Sequence, residues 1–203
     1  MNNIFNPDNK FFSFMGRVAD LMILNLLCIV CCIPVVTAGP AIAAMYYITL
    51  KMARNEESYV VKGFFHSFKQ NLKQATALWV GYLAVGILLV LDLVICLQTS
   101  SVFAGAMFFT SVVLLACWAL FITMLFPLVA RCDNTIGALF KMGIAMALRN
   151  VMPVLAALMV TVAFFAVGVF VFWPVLLVAP GLASYCNAFL FNRIFDKYGM
   201  TLE

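Results

Sequence analysis

The hydrophobic pattern of the chain consists of long apolar runs separated by short polar segments. Several runs exceed the roughly 18 to 20 residues that an α-helix needs to cross a hydrocarbon core of about 30 Å. Backbone groups in lipid must be paired within one segment or in a closed barrel, and these runs lack the alternation of barrel strands. We therefore predict six membrane-spanning helices, at about residues 18–36, 40–55, 75–97, 102–130, 151–172 and 174–191.

A proline-containing turn occurs near both ends of the chain. The sequences IPVVTAGP and WPVLLVAP align when Pro34 is placed on Pro174, and Pro40 then coincides with Pro180. Proline cannot continue a helix, but it suits the first position of the helix that follows. The repeat predicts related helical hairpins at the beginning and the end of the chain.

Two segments between the spans, about residues 58–74 and 133–149, are amphipathic. Their apolar residues recur at i, i+3 and i+4, which is typical of one helical face. In the first segment the apolar residues are Val61, Phe64, Phe65, Phe68 and Leu72, and the polar face comprises Lys62, His66, Lys69 and Lys73. In the second, Asp133 or Asn134 can cap a helix whose apolar face begins at Ile136. Such helices lie on a membrane surface, here against the anionic lipids of the inner leaflet, or dock onto a partner.

The basic residues fall at the two termini and in the two amphipathic connections, and the links at 37–39, 98–101 and 172–173 contain none. By the positive-inside rule, both termini and both connections are cytoplasmic. The expected fold is a single all-α membrane domain over residues 1–203, built from three in-out-in hairpins. This topology accounts for the net charge of +4, and we predict no nucleic-acid partner.

The sequence offers little catalytic chemistry. The seven cysteines lie mostly inside apolar runs, where a thiol behaves as a small hydrophobic group. Cys28, Cys31 and Cys32 share a helix face, but no histidine or second cysteine pair accompanies them, so we predict packing rather than a metal site. His66 has no neighbouring nucleophile pattern, and no phosphate-binding loop is present. We expect a protein that is not an enzyme and that binds no cofactor.

Asp92 is the one acidic residue deep in a clearly apolar span. A carboxylate near the bilayer centre costs about 2.5 to 3.5 kcal/mol, so it must face protein or water, or be protonated. It is a candidate for a proton or ion path, although one polar neighbour, such as Thr37, Gln98 or Thr99, would give it a structural role. If the terminal hairpins pack together, four further polar residues could line one cavity or bond between helices: Tyr46, Tyr47, Tyr185 and Asn187.

The segments NLLCIVCCIPVVTAGPAIAAMYYITLKMARNEE, from Asn25 to Glu57, and FFHSFKQNLKQAT, from Phe64 to Thr76, resemble the YesL family of bacterial membrane proteins of unknown function. Members of that family are typically encoded beside carbohydrate ABC transporters in low-GC Gram-positive bacteria. The resemblance implies a multi-pass protein of the bacterial cell membrane with an accessory role in sugar uptake. It carries over no catalytic residue.

These observations lead to two functional hypotheses. In the first, the chain is an accessory subunit that contacts the permease subunits of a carbohydrate ABC importer, or its ATPase, through the amphipathic segments. The expected contact residues are Phe64, Phe65, Phe68, Lys69 and Asn71 in the first segment and Phe140, Lys141, Arg149 and Asn150 in the second. In the alternative, the chain is a gradient-driven transporter or channel whose path includes Asp92.

Overall fold

The computed structural model describes residues 10–56, 59–99, 102–132, 134–170, 176 and 178–200. All regular structure within these ranges is helical, as predicted. The helices are α1 (Lys10–Cys32), α2 (Ala38–Ala53), α3 (Val60–Gln98), α4 (Val102–Val129), α5 (Ile136–Arg149), α6 (Val151–Phe170) and α7 (Ala179–Lys197), and a 3-10 turn at Val35–Thr37 joins α1 to α2. Asp133, one of the two predicted capping residues, lies outside the described residues.

Among the described residues, five helical segments are long and apolar enough to cross a membrane. They are Met15–Cys32, Val35–Ala53, Val60–Gln98, Gly105–Val129 and Val151–Phe170. These segments are compatible with the membrane-embedded protein that the apolar runs predict, and α7, the sixth predicted span, is not among them. The helix predicted at 174–191 begins later, at Ala179, and continues to Lys197, so its last turn is charged. Of its predicted start, residues 174, 175 and 177 lie outside the described part of the chain.

The structure differs from the sequence prediction at the first amphipathic segment. Residues 58–74 were expected to form a helix separate from the span at 75–97, but α3 runs through both as one helix of 39 residues. The reason is local: the junction at 73–77 reads KQATA and contains no glycine or proline to end a helix. At 1.5 Å per residue α3 is about 58 Å long, nearly twice the thickness of a hydrocarbon core.

Helix α2 lies at the centre of the molecule and contacts α1, α3, α4 and α7. Eleven of its 16 residues are buried. Among them, Ala41, Ala43 and Ala44 are fully buried, and small residues of this kind allow neighbouring helices to approach closely. Helices α2 and α7, whose first turns contain Pro40 and Pro180 of the two proline motifs, pack directly on each other.

Helix α3 has two halves with different neighbours. Its first half packs along α2, where Gly39 lies against Ala75 and Trp79. The Trp79 indole nitrogen also donates a hydrogen bond of 2.8 Å to the Val35 carbonyl oxygen, in the turn before α2. The second half pairs with α4, and the rings of Tyr82 and Trp118 stack there with their centroids 3.9 Å apart.

Candidate functional site

A polar cluster joins the C-terminal ends of α2, α4 and α7. The side-chain oxygen of Asn192 on α7, Oδ1, accepts hydrogen bonds from Arg54 Nε at 3.1 Å and from Arg131 Nη1 at 2.9 Å. Its amide nitrogen donates to the Leu50 carbonyl oxygen at 3.0 Å. Arg54 also forms an ion pair with Asp196, whose carboxylate lies 3.8 Å from Arg131 Nη2. One asparagine and one aspartate thus connect two arginines that are distant in the sequence.

Arg131 is the buried arginine of this cluster. Its side chain has no exposed surface, and its guanidinium lies 4.9 Å from the centre of the Phe195 ring. Burial lowers the pKa of Arg131, and the charge of Arg54 acts in the same direction, whereas Asp196 opposes the shift. Arg131 Nη2 donates to the Met200 carbonyl oxygen, while Nε has no hydrogen-bond partner within the described residues.

The chemistry of the cluster suits structure rather than catalysis. The carbonyl ends of three helices converge there, and the partial negative charge of helix C-termini favours nearby cations. The two guanidinium groups supply the positive charge that these helix ends favour. They also hold the end of α7 against α2 and α4. The cluster was not recognised in the sequence, because Arg54 and Arg131 were interpreted through topology. The available signal was the i, i+4 spacing of Asn192 and Asp196 on α7.

The predicted intramembrane site at Asp92 consists of a pair between α3 and α4. The hydroxyl of the buried Ser111 donates a hydrogen bond to Asp92 Oδ2 and also lies 3.0 Å from the Met107 carbonyl oxygen. Asp92 itself is half-buried. Its hydrogen-bond partner is therefore a serine on the next helix, which was not among the residues proposed from the sequence.

Two of the four predicted polar residues in the core lie together. The Asn187 side chain is fully buried beside the Tyr46 hydroxyl. Asn187 Nδ2 donates a hydrogen bond of 2.9 Å to the Thr161 hydroxyl on α6. The side-chain oxygen of Asn187 has no hydrogen-bond partner in the described part of the chain. The Tyr46 ring packs edge-on against Phe191, with the centroids 5.9 Å apart. This group links α2, α6 and α7.

The other two tyrosines have different polar partners. The Lys51 ammonium lies 4.6 Å from the centre of the Tyr47 ring, an arrangement that favours a cation–π interaction. The Tyr185 hydroxyl accepts a long hydrogen bond of 3.5 Å from Arg17 on α1. Tyr47 and Tyr185 thus interact with charged residues and do not join the group formed by Tyr46 and Asn187.

The predicted contact residues of α3 are divided between the interior and the surface. Phe64 is fully buried, and Asn71 is buried and donates to the Ser67 carbonyl oxygen at 3.1 Å. Phe68 is half-buried against the core. Phe65 and Lys69 are exposed, so they remain available to a partner.

The predicted contact residues of α5 and its end are divided in the same way. Phe140 is 47% exposed although its ring also packs on Phe121, and Lys141 and Arg149 are exposed. Asn150 is buried, and its amide donates a hydrogen bond of 3.1 Å to the Tyr198 hydroxyl. This contact ties the start of α6 to the end of α7.

An apolar groove of about 360 Å³ lies between α3, α4 and α5. Its walls include Gly81, Trp118, Phe121 and Phe140. The lining is almost entirely apolar, and the indole N–H of Trp118 is already used in a hydrogen bond of 3.3 Å to the Tyr82 carbonyl oxygen, so the groove suits an apolar ligand better than a small polar one.

The clustered cysteines of α1 do not form a metal centre in the described structure. The sulfur atoms of Cys28 and Cys32 lie 3.9 Å apart, and both cysteines are free. No group of three or more potential metal ligands occurs among the described residues.

Comparison with known proteins finds a similarity in the first half of the chain. Residues 21–93 match the family described as "Protein of unknown function, DUF624". The match covers the second half of α1, all of α2 and most of α3, and it is consistent with a YesL-like family. No curated protein and no solved structure matches the chain.

Proposed function

We propose that this chain is a non-enzymatic accessory or regulatory subunit of a carbohydrate ABC importer in a bacterial cell membrane. The importer as partner is suggested by the resemblance to the YesL family. The observation that supports an interaction role is a mostly exposed, apolar helix pair, called the projection here, formed by residues 80–98 of α3 and 105–118 of α4. In the proposal, this projection packs beside the permease subunits and supports their assembly, stability or regulation.

The surface of the projection suits contact with other membrane helices. On α3, Leu88, Leu91 and Ile95 recur at i, i+3 and i+7 and are 66%, 53% and 62% exposed. The polar pair Asp92 and Ser111 is directed between α3 and α4, where its hydrogen bond is made within the chain. An apolar outer face with satisfied inner polar groups can pack on a permease helix without leaving a polar group unpaired in lipid.

The proposed topology has six spanning helices in three in-out-in hairpins, with α7 as the sixth and both termini in the cytoplasm. Its support is the charge distribution, since the polar cluster at the ends of α2, α4 and α7 contains Arg54 and Arg131. Basic residues are retained on the cytoplasmic side. In this orientation the exposed Phe140 and Lys141 of α5 face the cytoplasmic surface of the importer or its ATPase.

The test is purification of the tagged chain from its native host in a mild detergent, followed by mass spectrometry of co-purifying membrane proteins. Recovery of importer permease subunits in stoichiometric amount is the expected result. Replacing Leu88, Leu91 and Ile95 together with alanine should lower this recovery several-fold. A matched control replaces Met22, Leu26 and Val30, which are equally exposed on α1, and should retain the permease. Recovery of the folded chain alone would contradict the proposal.

A gradient-driven transporter or channel is the second candidate, and the half-buried Asp92 carboxylate is the observation that favours it. This function predicts proton-coupled flux through liposomes that contain the purified chain and a pH-sensitive dye. Asp92→Asn should then abolish the flux while the thermal unfolding temperature stays near that of the wild type, because asparagine can still accept the Ser111 hydrogen bond. Wild-type liposomes without flux would exclude this proton-coupled form of the second candidate.

A further inference from the structure

We propose that the N-terminal third of α3 is a binding surface for the headgroups of anionic phospholipids. Two parallel ridges define this surface. The basic ridge comprises Lys62, His66, Lys69 and Lys73, and the apolar ridge comprises Val61, Phe65 and Leu72. The inference does not depend on an importer partner or on α2 as a spanning helix, since it concerns the lipid surface around α3 itself.

The two ridges occupy adjacent faces of one helix. At about 100° per residue, the apolar ridge is centred roughly 100° around the axis from the basic ridge. The opposite face holds Val60, Phe64, Ser67 and Asn71, all of which are buried against the bundle. Because packing uses that face, both ridges remain at the surface. Val61, Phe65 and Leu72 are 48%, 41% and 37% exposed.

The inner border of the apolar ridge packs on a core cluster that α1 shares. Phe68, at the inner border of the ridge, packs against a core cluster to which α1 contributes Leu21 and Leu24. Helix α1 itself exposes Met22 and Leu26 on its outer side. Both ridges therefore lie at the surface beside apolar helices, where the apolar side chains can contact acyl chains while the lysines reach phosphates.

The charge of the basic ridge is not neutralised within the described chain. Between Val60 and Leu91 the sequence contains no aspartate or glutamate, and the described residues form no ion pair with Lys62, Lys69 or Lys73. The three lysines extend over about 16 Å of helix. Long lysine side chains can lay their apolar stems along a hydrophobic surface while the ammonium reaches a phosphate. This combination favours anionic lipid over an acidic protein, which would leave the apolar ridge in water.

The experiment incubates the full-length chain in detergent with an equimolar mixture of phosphatidylglycerol and phosphatidylcholine that carry the same acyl chains. The protein is re-isolated by size exclusion, and the retained lipids are quantified by mass spectrometry. Each lysine near an anionic surface contributes about a fivefold preference. In the variant Lys62→Gln/Lys69→Gln/Lys73→Gln, the ratio of retained phosphatidylglycerol to phosphatidylcholine should therefore fall at least tenfold.

Two further variants make the result specific. Lys62→Arg/Lys69→Arg/Lys73→Arg keeps the charge and should retain the preference. Lys141→Gln/Arg149→Gln/Arg193→Gln removes the same number of exposed charges from α5 and α7 and should change the preference by less than threefold. Equal retention of the two lipids by the wild type would overturn the proposal. Equal losses in the two glutamine variants would also overturn it, because the attraction would then be a property of the total charge.

Discussion

Asn25 on α1 caps the N-terminus of α7, which lies 156 residues further along the chain. Its side-chain oxygen accepts a hydrogen bond of 2.6 Å from the Gly181 backbone nitrogen, and its amide donates one of 3.1 Å to the Val178 carbonyl oxygen. Helix α7 has no side-chain cap from Val178, the residue before its first turn. The cap from α1 satisfies an N–H group that has no partner within α7.

Replacement of Asn25 and Gly181 should show strong coupling. Asn25→Ala removes the cap and should cost about 1 to 2 kcal/mol of unfolding free energy. Gly181→Ala should also destabilise the protein, because its methyl carbon would lie 2.7 Å from the Asn25 side-chain oxygen. The double variant should be more stable than the sum of the single effects predicts, since alanine at 25 leaves room for the methyl group. Unfolding in detergent measures all three; strict additivity would contradict this account.

Arg131 should contribute more to stability than Asp196, although both belong to one cluster. Arg131→Met removes a fully buried guanidinium with hydrogen bonds to Asn192 and Met200, and we expect a loss of about 2 to 3 kcal/mol. Asp196→Asn affects a carboxylate that is 61% exposed, where an ion pair contributes at most about 1 kcal/mol. Denaturation in matched detergent compares them, and a larger effect at Asp196 would refute the assignment.

Replacing each of two glycines on α3 with alanine should have different effects on stability. A methyl group at Gly86 would overlap the Trp118 ring on α4. At Gly81, five residues earlier, an added methyl group would meet no other atom within 4 Å. We expect Gly86→Ala to cost about 1 to 3 kcal/mol, because α3 and α4 must separate or the indole must move. Gly81→Ala should be neutral or slightly stabilising. Thermal melts of the purified variants test this difference, and equal melting temperatures would argue against the close contact of Gly86 with Trp118.

Local sequence features were sufficient to predict that the chain is helical and which helix surfaces are amphipathic. Long apolar runs predicted membrane-spanning helices because the cost of unpaired backbone groups in lipid leaves few alternatives. The three-residue and four-residue spacing around Phe64 and Lys69 predicted which part of α3 is amphipathic. The same spacing could not show which apolar residues face inward, so Phe64 and Phe65 were grouped although one is buried and the other exposed.

The sequence by itself determined the helical class, with several helices long and apolar enough to cross a membrane, and the proline turn at 34–40, because apolar length and the missing proline N–H act within one segment. The tertiary structure decided the pairs that join distant segments: Asn25 with Gly181, Asp92 with Ser111, and Arg131 with Asn192. Such pairs depend on the rotation and register of one helix against another. Those quantities are set by packing across the whole bundle, so local periodicity does not contain them.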